Sequence, residues 1–251
     1  MTKEDYLSTF KNYKLGLFSF NKYNKNFPIL PSTTLSGIVA DVTGDGYLGR
    51  GIIQYISKNK TEAIRFRNEI NKIFPINGII RRSPSNKVVW ECLIGNNALV
   101  KVLKASGVPF GEKVLTKFDV PAWIVDGRKE YKKRYIQRLL DCEGTIVLQK
   151  SNRIRIKIKM HKSEELMEGH YHFLNQIRNM LSDFSIKTTN PSTAGFTKRK
   201  DGIITKGLEF EFYGTRKNLS SILNFRKHIN FESEEKRVKL NTYLSILNNN
   251  P

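Results

Sequence analysis

Polar and apolar residues alternate strictly over Arg153 to Met160, "RIRIKIKM". Arg153, Arg155, Lys157 and Lys159 fall on one face, and Ile154, Ile156, Ile158 and Met160 on the other. A period of two predicts a β-strand with one buried and one strongly cationic face. Two other stretches carry the helical period instead. "GIVADVTGDGYLG", Gly37 to Gly49, and "IQRLLDCEGTIVL", Ile136 to Leu148, run through apolar residues at helical spacing. Each then meets an acid followed by glycine and continues into strand-like residues.

The two acid–glycine pairs, Asp45-Gly46 and Glu143-Gly144, stand 98 residues apart, and the pattern around them recurs with them. After Gly46 come "YLGRGIIQYISKNK", a helical "TEAIRFRNEINKIF", the turn-rich "PINGIIRRSPSNKVVWECLIG" and a helical "NNALVKVLKASG". After Gly144 come "TIVLQKSNRIRIKIKMHK", a helical "SEELMEGHYHFLNQIRNMLSDF", the strand pair "SIKTTNPSTAGF" and "KGLEFEFYG", and "TRKNLSSILNFRKH". Each half reads helix, two strands, helix, two strands, helix. The expected fold is therefore α+β, two αββαββα repeats at residues 1–120 and 121–251. Residues 1–30 form a leading extension and "ESEEKRVKLNTYLSIL" a charged closing helix, and the boundary segment holds Pro121 and Asp126-Gly127.

Ser32, Thr33 or Thr34 can cap the first motif helix, and Gly46 can end it in the left-handed conformation. Ser36, Ala40 and Gly44 lie four apart, a small face that admits close packing by the equivalent helix of the other half. Asp45 then falls in the last turn, where the helix dipole disfavours a carboxylate by up to about 1 kcal/mol. Glu143 has the same position. Side by side the two acids repel, unless divalent cations occupy the site. Oxygen ligands of this kind suit Mg²⁺.

Charge sharpens this picture. With 43 Lys and Arg against 23 Asp and Glu, the formal charge is +20, which points to a polyanionic partner, nucleic acid before an anionic membrane. Like charges stacked on one sheet face repel unless something such as a phosphate backbone neutralises them. "IIRR", with Arg81 and Arg82, and "FTKRKDG", with Lys198 and Arg199, add basic residues at a hairpin end and a loop. "LEFEF" opposes them: Glu209 and Glu211 share a strand face, either turned away from phosphate or with one acid reading a cytosine amino group. Two cysteines, Cys92 and Cys142, exclude a disulfide framework and a four-cysteine zinc site. The N-terminus lacks the apolar core of a signal peptide or membrane span. A soluble intracellular protein is expected, in cytoplasm, nucleoid or an organelle. His161, His170, His172 and His228 lack metal-ligand spacing and read as packing or surface residues.

"IVADVTGDG" and "IQRLLDCEG" resemble the paired signature of LAGLIDADG homing endonucleases, in the single-chain form with two pseudo-symmetric halves. "GVPFGEK" and "VPAWI", Val120 to Ile124, are similar to the segment leading into the second motif helix in the family's archaeal branch. The resemblance implies a monomer with its motif helices at the domain interface and a DNA-binding saddle of two antiparallel sheets. It implies hydrolysis of one phosphodiester per strand of a long duplex target, with Asp45 and Glu143 as metal-binding acids, helped by the backbone of Gly44 and Cys142. Mg²⁺ is the implied metal, with Mn²⁺ substituting and Ca²⁺ binding without supporting cleavage. Lys58 and Lys162 are the nearest matches to the family's strand-end residues beside the scissile phosphates, with Lys60 and His161 as neighbours in register. Basic sheet residues would fix register on the DNA, and Gln54, Gln149, Arg155 and Lys157 would read base edges.

Two positions depart from the family pattern. Arg138 stands where the second helix has glycine, and Asp41 at a usually apolar position of the first. A buried, unpaired arginine is costly, so a pairing of Arg138 with Asp41 is expected. The rival functions are a non-cleaving nucleic-acid binder on the same scaffold (an intron maturase or a transcriptional regulator), an intein, and a basic ribosome-associated protein. Neither Met1-Thr2 nor the final "NNNP" supplies splicing nucleophiles, and a ribosomal protein leaves the paired acids unexplained.

Overall fold

The computed structural model describes residues 1–149 and 152–249. The chain divides into two compact units between Lys113 and Val114, ahead of the boundary expected at 120/121.

The first unit holds α1 (Lys3–Ser8), α2 (Tyr13–Tyr23), α3 (Thr33–Thr43), β1 (Gly46–Leu48), β2 (Ile52–Ser57), α4 (Lys60–Ile73), β3 (Ile79–Arg82), β4 (Trp90–Gly95) and α5 (Asn97–Ala105). The second holds α6 (Ala122–Val125), α7 (Lys129–Glu143), β5 (Gly144–Gln149), β6 (Arg153–Ser163), α8 (Met167–Ser182), β7 (Ser192–Lys198), β8 (Ile204–Thr215), α9 (Ser220–His228) and α10 (Glu234–Asn249). From α3 and from α7 onward the element order is the expected αββαββα. Both sheets are antiparallel with the same strand order, β1-β2-β4-β3 and β5-β6-β8-β7.

Each sheet keeps one face for its core. In β6, Ile154, Ile156 and Ile158 are fully buried while Arg153, Arg155, Lys157 and Lys159 are half-buried on the other face. Burying each isoleucine contributes about 1.5–3 kcal/mol, and a one-residue slip would drive four cations into the core. That difference pins the register. In the first unit Tyr55 of β2 stacks on Phe66 of α4 with ring centroids 4.8 Å apart.

The two departures from the family pattern each find an opposite charge within their own unit. Asp41, fully buried on α3, pairs with Arg65 of α4 at 2.9 Å. Arg138, fully buried on α7, pairs with Asp141 at 2.8 Å and with Glu232 at 3.3 Å.

Candidate functional site

Ser32 caps α3, its hydroxyl accepting from the Leu35 N–H at 3.1 Å, and residues Leu35 to Thr43 are all buried. The helix ends at Gly44 with φ −79° and ψ −95°, and Gly46 has no positive φ, so the expected left-handed glycine does not end this helix. Gly46 is required for another reason. Strand β1 starts hard against the last helical turn, and a Cβ there would lie 2.5 Å from the Val42 Cα. Gly144 repeats the constraint in extended backbone, where a Cβ would press into the Leu140 carbonyl oxygen. Asp45 is exposed and Glu143 half-buried.

A lysine reaches each of these helix ends. Lys113 Nζ donates to the carbonyls of Val42 at 3.1 Å, Thr43 at 3.0 Å and Gly44. Lys236 Nζ donates to the carbonyls of Leu140 at 3.0 Å, Asp141 at 2.6 Å and Gly144 at 2.7 Å. Carbonyls at a helix C-terminus include those with no N–H of the helix to accept, and they form the negative pole of its dipole. The ammonium groups offset the field that disfavours Asp45 and Glu143. Gly111, at φ +85° with its N–H on the Leu48 carbonyl at 2.7 Å, turns the chain back so that Lys113 can reach. Neither lysine was singled out from sequence. The signal that marks them is a shared offset: Lys113 lies eight residues past the end of α5 at Ala105, and Lys236 eight past the end of α9 at His228.

Of the two lysines expected from the resemblance, Lys58 is exposed just past β2, two residues beyond Ile56, whose N–H donates to the Asp45 carbonyl at 3.2 Å. Lys162 needs correction. It falls on the core face of β6, 3 % exposed, with Nζ on the Thr116 carbonyl at 2.6 Å and 3.6 Å from the Phe118 ring centroid. Gly46 pairs with Tyr55 and Gly144 with Ile158, so the register counterpart of Lys58 is His161. Burial, with the charge of Lys159, lowers the His161 pKa. Lys60 lies over the Trp90 ring at 4.8 Å.

Gln54, Arg81, Gln149, Arg153, Arg155, Lys157 and Lys159 lie on the open sheet faces and Arg82 on the opposite face of β3, and most of these cations have partners. Arg81 donates to Glu91 at 2.5 Å, and Arg82 lies over Trp90 at 4.2 Å. Arg153 lies 3.5 Å over the Tyr213 ring, Arg155 and Arg153 share Glu211, and Lys157 holds Glu209. Glu209 and Glu211 are thus not turned away from the basic face. Gln149 ends β5 opposite Arg153. Lys198 is exposed at the end of β7, and Arg199 pairs with Asp201 at 3.0 Å in the turn that follows.

Among the described residues, no group of three or more His, Cys, Asp or Glu side chains could hold a metal. The donors at each helix end are one carboxylate and backbone carbonyls, hard oxygens that fit Mg²⁺. Gly44's carbonyl, one of the expected ligands, accepts from Lys113. No helix among the described residues is long and apolar enough to cross a membrane.

No family model matches the chain. It is 27% identical over 220 residues to a tRNA-splicing ligase RtcB of Pyrococcus abyssi, covering 82% of this chain and 23% of that protein. It is 23% identical over 161 residues to the Replication factor C small subunit of Methanocaldococcus jannaschii, covering 59% and 9%. The chain spans less than a quarter of the curated relatives it matches. Among solved structures, a mesophilic variant of the homing endonuclease I-DmoI aligns at 11% identity and TM-score 0.49, covering 84% of this chain and 97% of that one. The N-terminal LAGLIDADG domain of DUF199/WhiA aligns at 14% identity and TM-score 0.46, covering 87% and 95%. The α+β fold itself rests on the elements and register given above.

Proposed function

We propose that this protein is a site-specific double-strand DNA endonuclease that hydrolyses one phosphodiester in each strand of a long target. The observation that carries this reading is the duplicated helix end. An acid, a glycine that admits the following strand, and a lysine on the helix-end carbonyls recur in both units, and in the second unit the adjoining sheet has an open basic face. Asp45 and Glu143 would each hold a divalent cation. Such a cation, when bound, supplies the charge that polarises the phosphate and activates water. Lys113, Lys236 and Lys58 add positive charge where the phosphate gains negative charge, Lys113 and Lys236 through space, since their three N–H groups are held by helix-end carbonyls. Water adds to phosphorus and the bond to the 3′ oxygen breaks.

The relatives' named activities do not carry over. A ligase and a replication-factor subunit match this chain over a minor part of their own length, as expected of a module that recurs in proteins of different activity.

A non-cleaving nucleic-acid binder on the same faces is the second reading, favoured by one observation: the Gly44 carbonyl already accepts from a lysine. Selection of a target from a random duplex pool separates the two. The nuclease cuts the selected site in Mg²⁺ and only binds it in Ca²⁺, and Asp45→Asn or Glu143→Gln abolishes cutting while binding persists. A protein that binds one sequence and never cuts it is the binder.

A further inference from the structure

We propose that Glu91 and Glu209 are positioning residues for sequence readout, each fixing the direction of one base-reading side chain over the open sheet face. The inference rests on the DNA-cleaving reading above.

Gln54 Nε2 donates to Glu91 Oε2 at 2.5 Å, and Lys157 Nζ donates to Glu209 Oε2 at 3.1 Å. In neither case are the partners directly opposite. Gln54 faces Leu93 while Glu91 faces Ile56, and Lys157 faces Glu211 while Glu209 faces Lys159. Counted from the glycine after each motif acid, the two diagonals occupy the same pair of positions in both units. Lys157 passes over the carboxylate directly across the ladder to reach the diagonal one. Glu211 instead takes Arg155 Nε at 2.6 Å and Arg153 at 3.3 Å.

Charge alone does not account for these acids. Each lies on a face that would meet a polyanion, so each repels the partner. Lys157–Glu209, a partly exposed pair, adds little to stability. What the two acids do determine is orientation. A carboxylate only accepts, so the Gln54 amide must turn its nitrogen toward Glu91, leaving its oxygen and second N–H as a fixed pair. An amide presenting one acceptor and one donor is the pattern that reads adenine. Glu91, with its side chain 2 % exposed, also holds Arg81 Nε at 2.5 Å, which aims that guanidinium. The carboxylates sit low on the sheet and the readers stand over them.

The test is target selection from a random-sequence duplex pool in Ca²⁺, comparing the wild-type chain with Glu91→Gln and Glu209→Gln and measuring affinity against salt. Glu91→Gln is expected to lose about tenfold in discrimination at base pairs of one half-site, and Glu209→Gln at base pairs of the other. Non-specific affinity should rise, and log affinity should fall more steeply with log salt by about one, as a released cation finds a phosphate. Variants that select the wild-type site with the wild-type salt slope overturn the inference, as does a loss spread evenly over both half-sites. Glu209, a quarter exposed, keeps the test open should Glu91→Gln fail to fold. A wild-type chain that selects no sequence overturns the DNA reading itself, and this inference with it.

Discussion

The ammonium of Lys236 donates to the carbonyl of Gly144 at 2.7 Å, one residue beyond Glu143. Lys113 makes the same kind of contact beside Asp45, on Gly44, Thr43 and Val42. Replacing either lysine with methionine removes the charge but keeps the length. Lys113→Met and Lys236→Met should each lower cleavage by about tenfold, the effect of losing a nearby positive charge whose three N–H groups are held by helix-end carbonyls. Loss of the helix-end interaction should cost only about 1 kcal/mol of stability. Single-turnover cleavage and urea denaturation of the same variants separate the two effects; a loss of stability with wild-type cleavage would make the lysines caps and nothing more.

Lys58 and Lys162 should behave differently although their strand-end positions look alike. Lys58→Met removes an exposed charge near the Asp45 strand and should slow cleavage about tenfold or more. Lys162→Met takes a buried donor from the Thr116 carbonyl and the cation from the Phe118 ring, so it should cost about 1–3 kcal/mol of stability. Its cleavage rate should stay within about threefold of wild type. Rate assays on both variants check this, and a crippled Lys162→Met would restore that residue to the site.

The glycines after the acids resist substitution because of space, not dihedral angle. Gly46→Ala and Gly144→Ala force a Cβ onto the Val42 Cα or the Leu140 carbonyl oxygen. Each should cost about 2–4 kcal/mol, the range of overpacking and backbone displacement. Gly95, with nothing near its Cβ position, is the control: Gly95→Ala should be close to neutral in the same denaturation series.

His170 makes stability depend on pH. Burial pushes its pKa down to about 4, against a hydrogen bond to the Met160 carbonyl and with help from the charges of Lys162 and His161. A lowered imidazole pKa means that the unfolded chain takes up the proton first as pH falls. Stability from this group is therefore complete above about pH 6.5 and declines toward pH 4, by on the order of 3 kcal/mol in all. His170→Gln should flatten the stability–pH curve across that window. An unchanged slope in chemical denaturation at pH 4.5 and 7 would rule this residue out as the cause.

Local pattern alone determined much of this protein. The period of two in β6 set which face is cationic, because one slip would bury four charges. The duplicated helix–acid–glycine stretch set the α+β repeat and marked Asp45 and Glu143, because an apolar helix ending on an acid is costly enough to be noticed. What pattern could not reach was any side chain whose partner lies far along the chain. Lys162 reads from sequence as a strand-end cation, yet strand parity turns it inward to Thr116 and Phe118. Lys113 and Lys236 look like ordinary charges in loop and helix, and only the return of the chain past α5 and α9 brings each to a helix end 69 and 92 residues away in sequence, at Gly44 and Gly144. Glu209 looked like an obstacle to DNA contact until the diagonal pairing of β6 and β8 placed it under Lys157. Periodicity decides which face a residue occupies; only the folded ladder decides which neighbour it meets there.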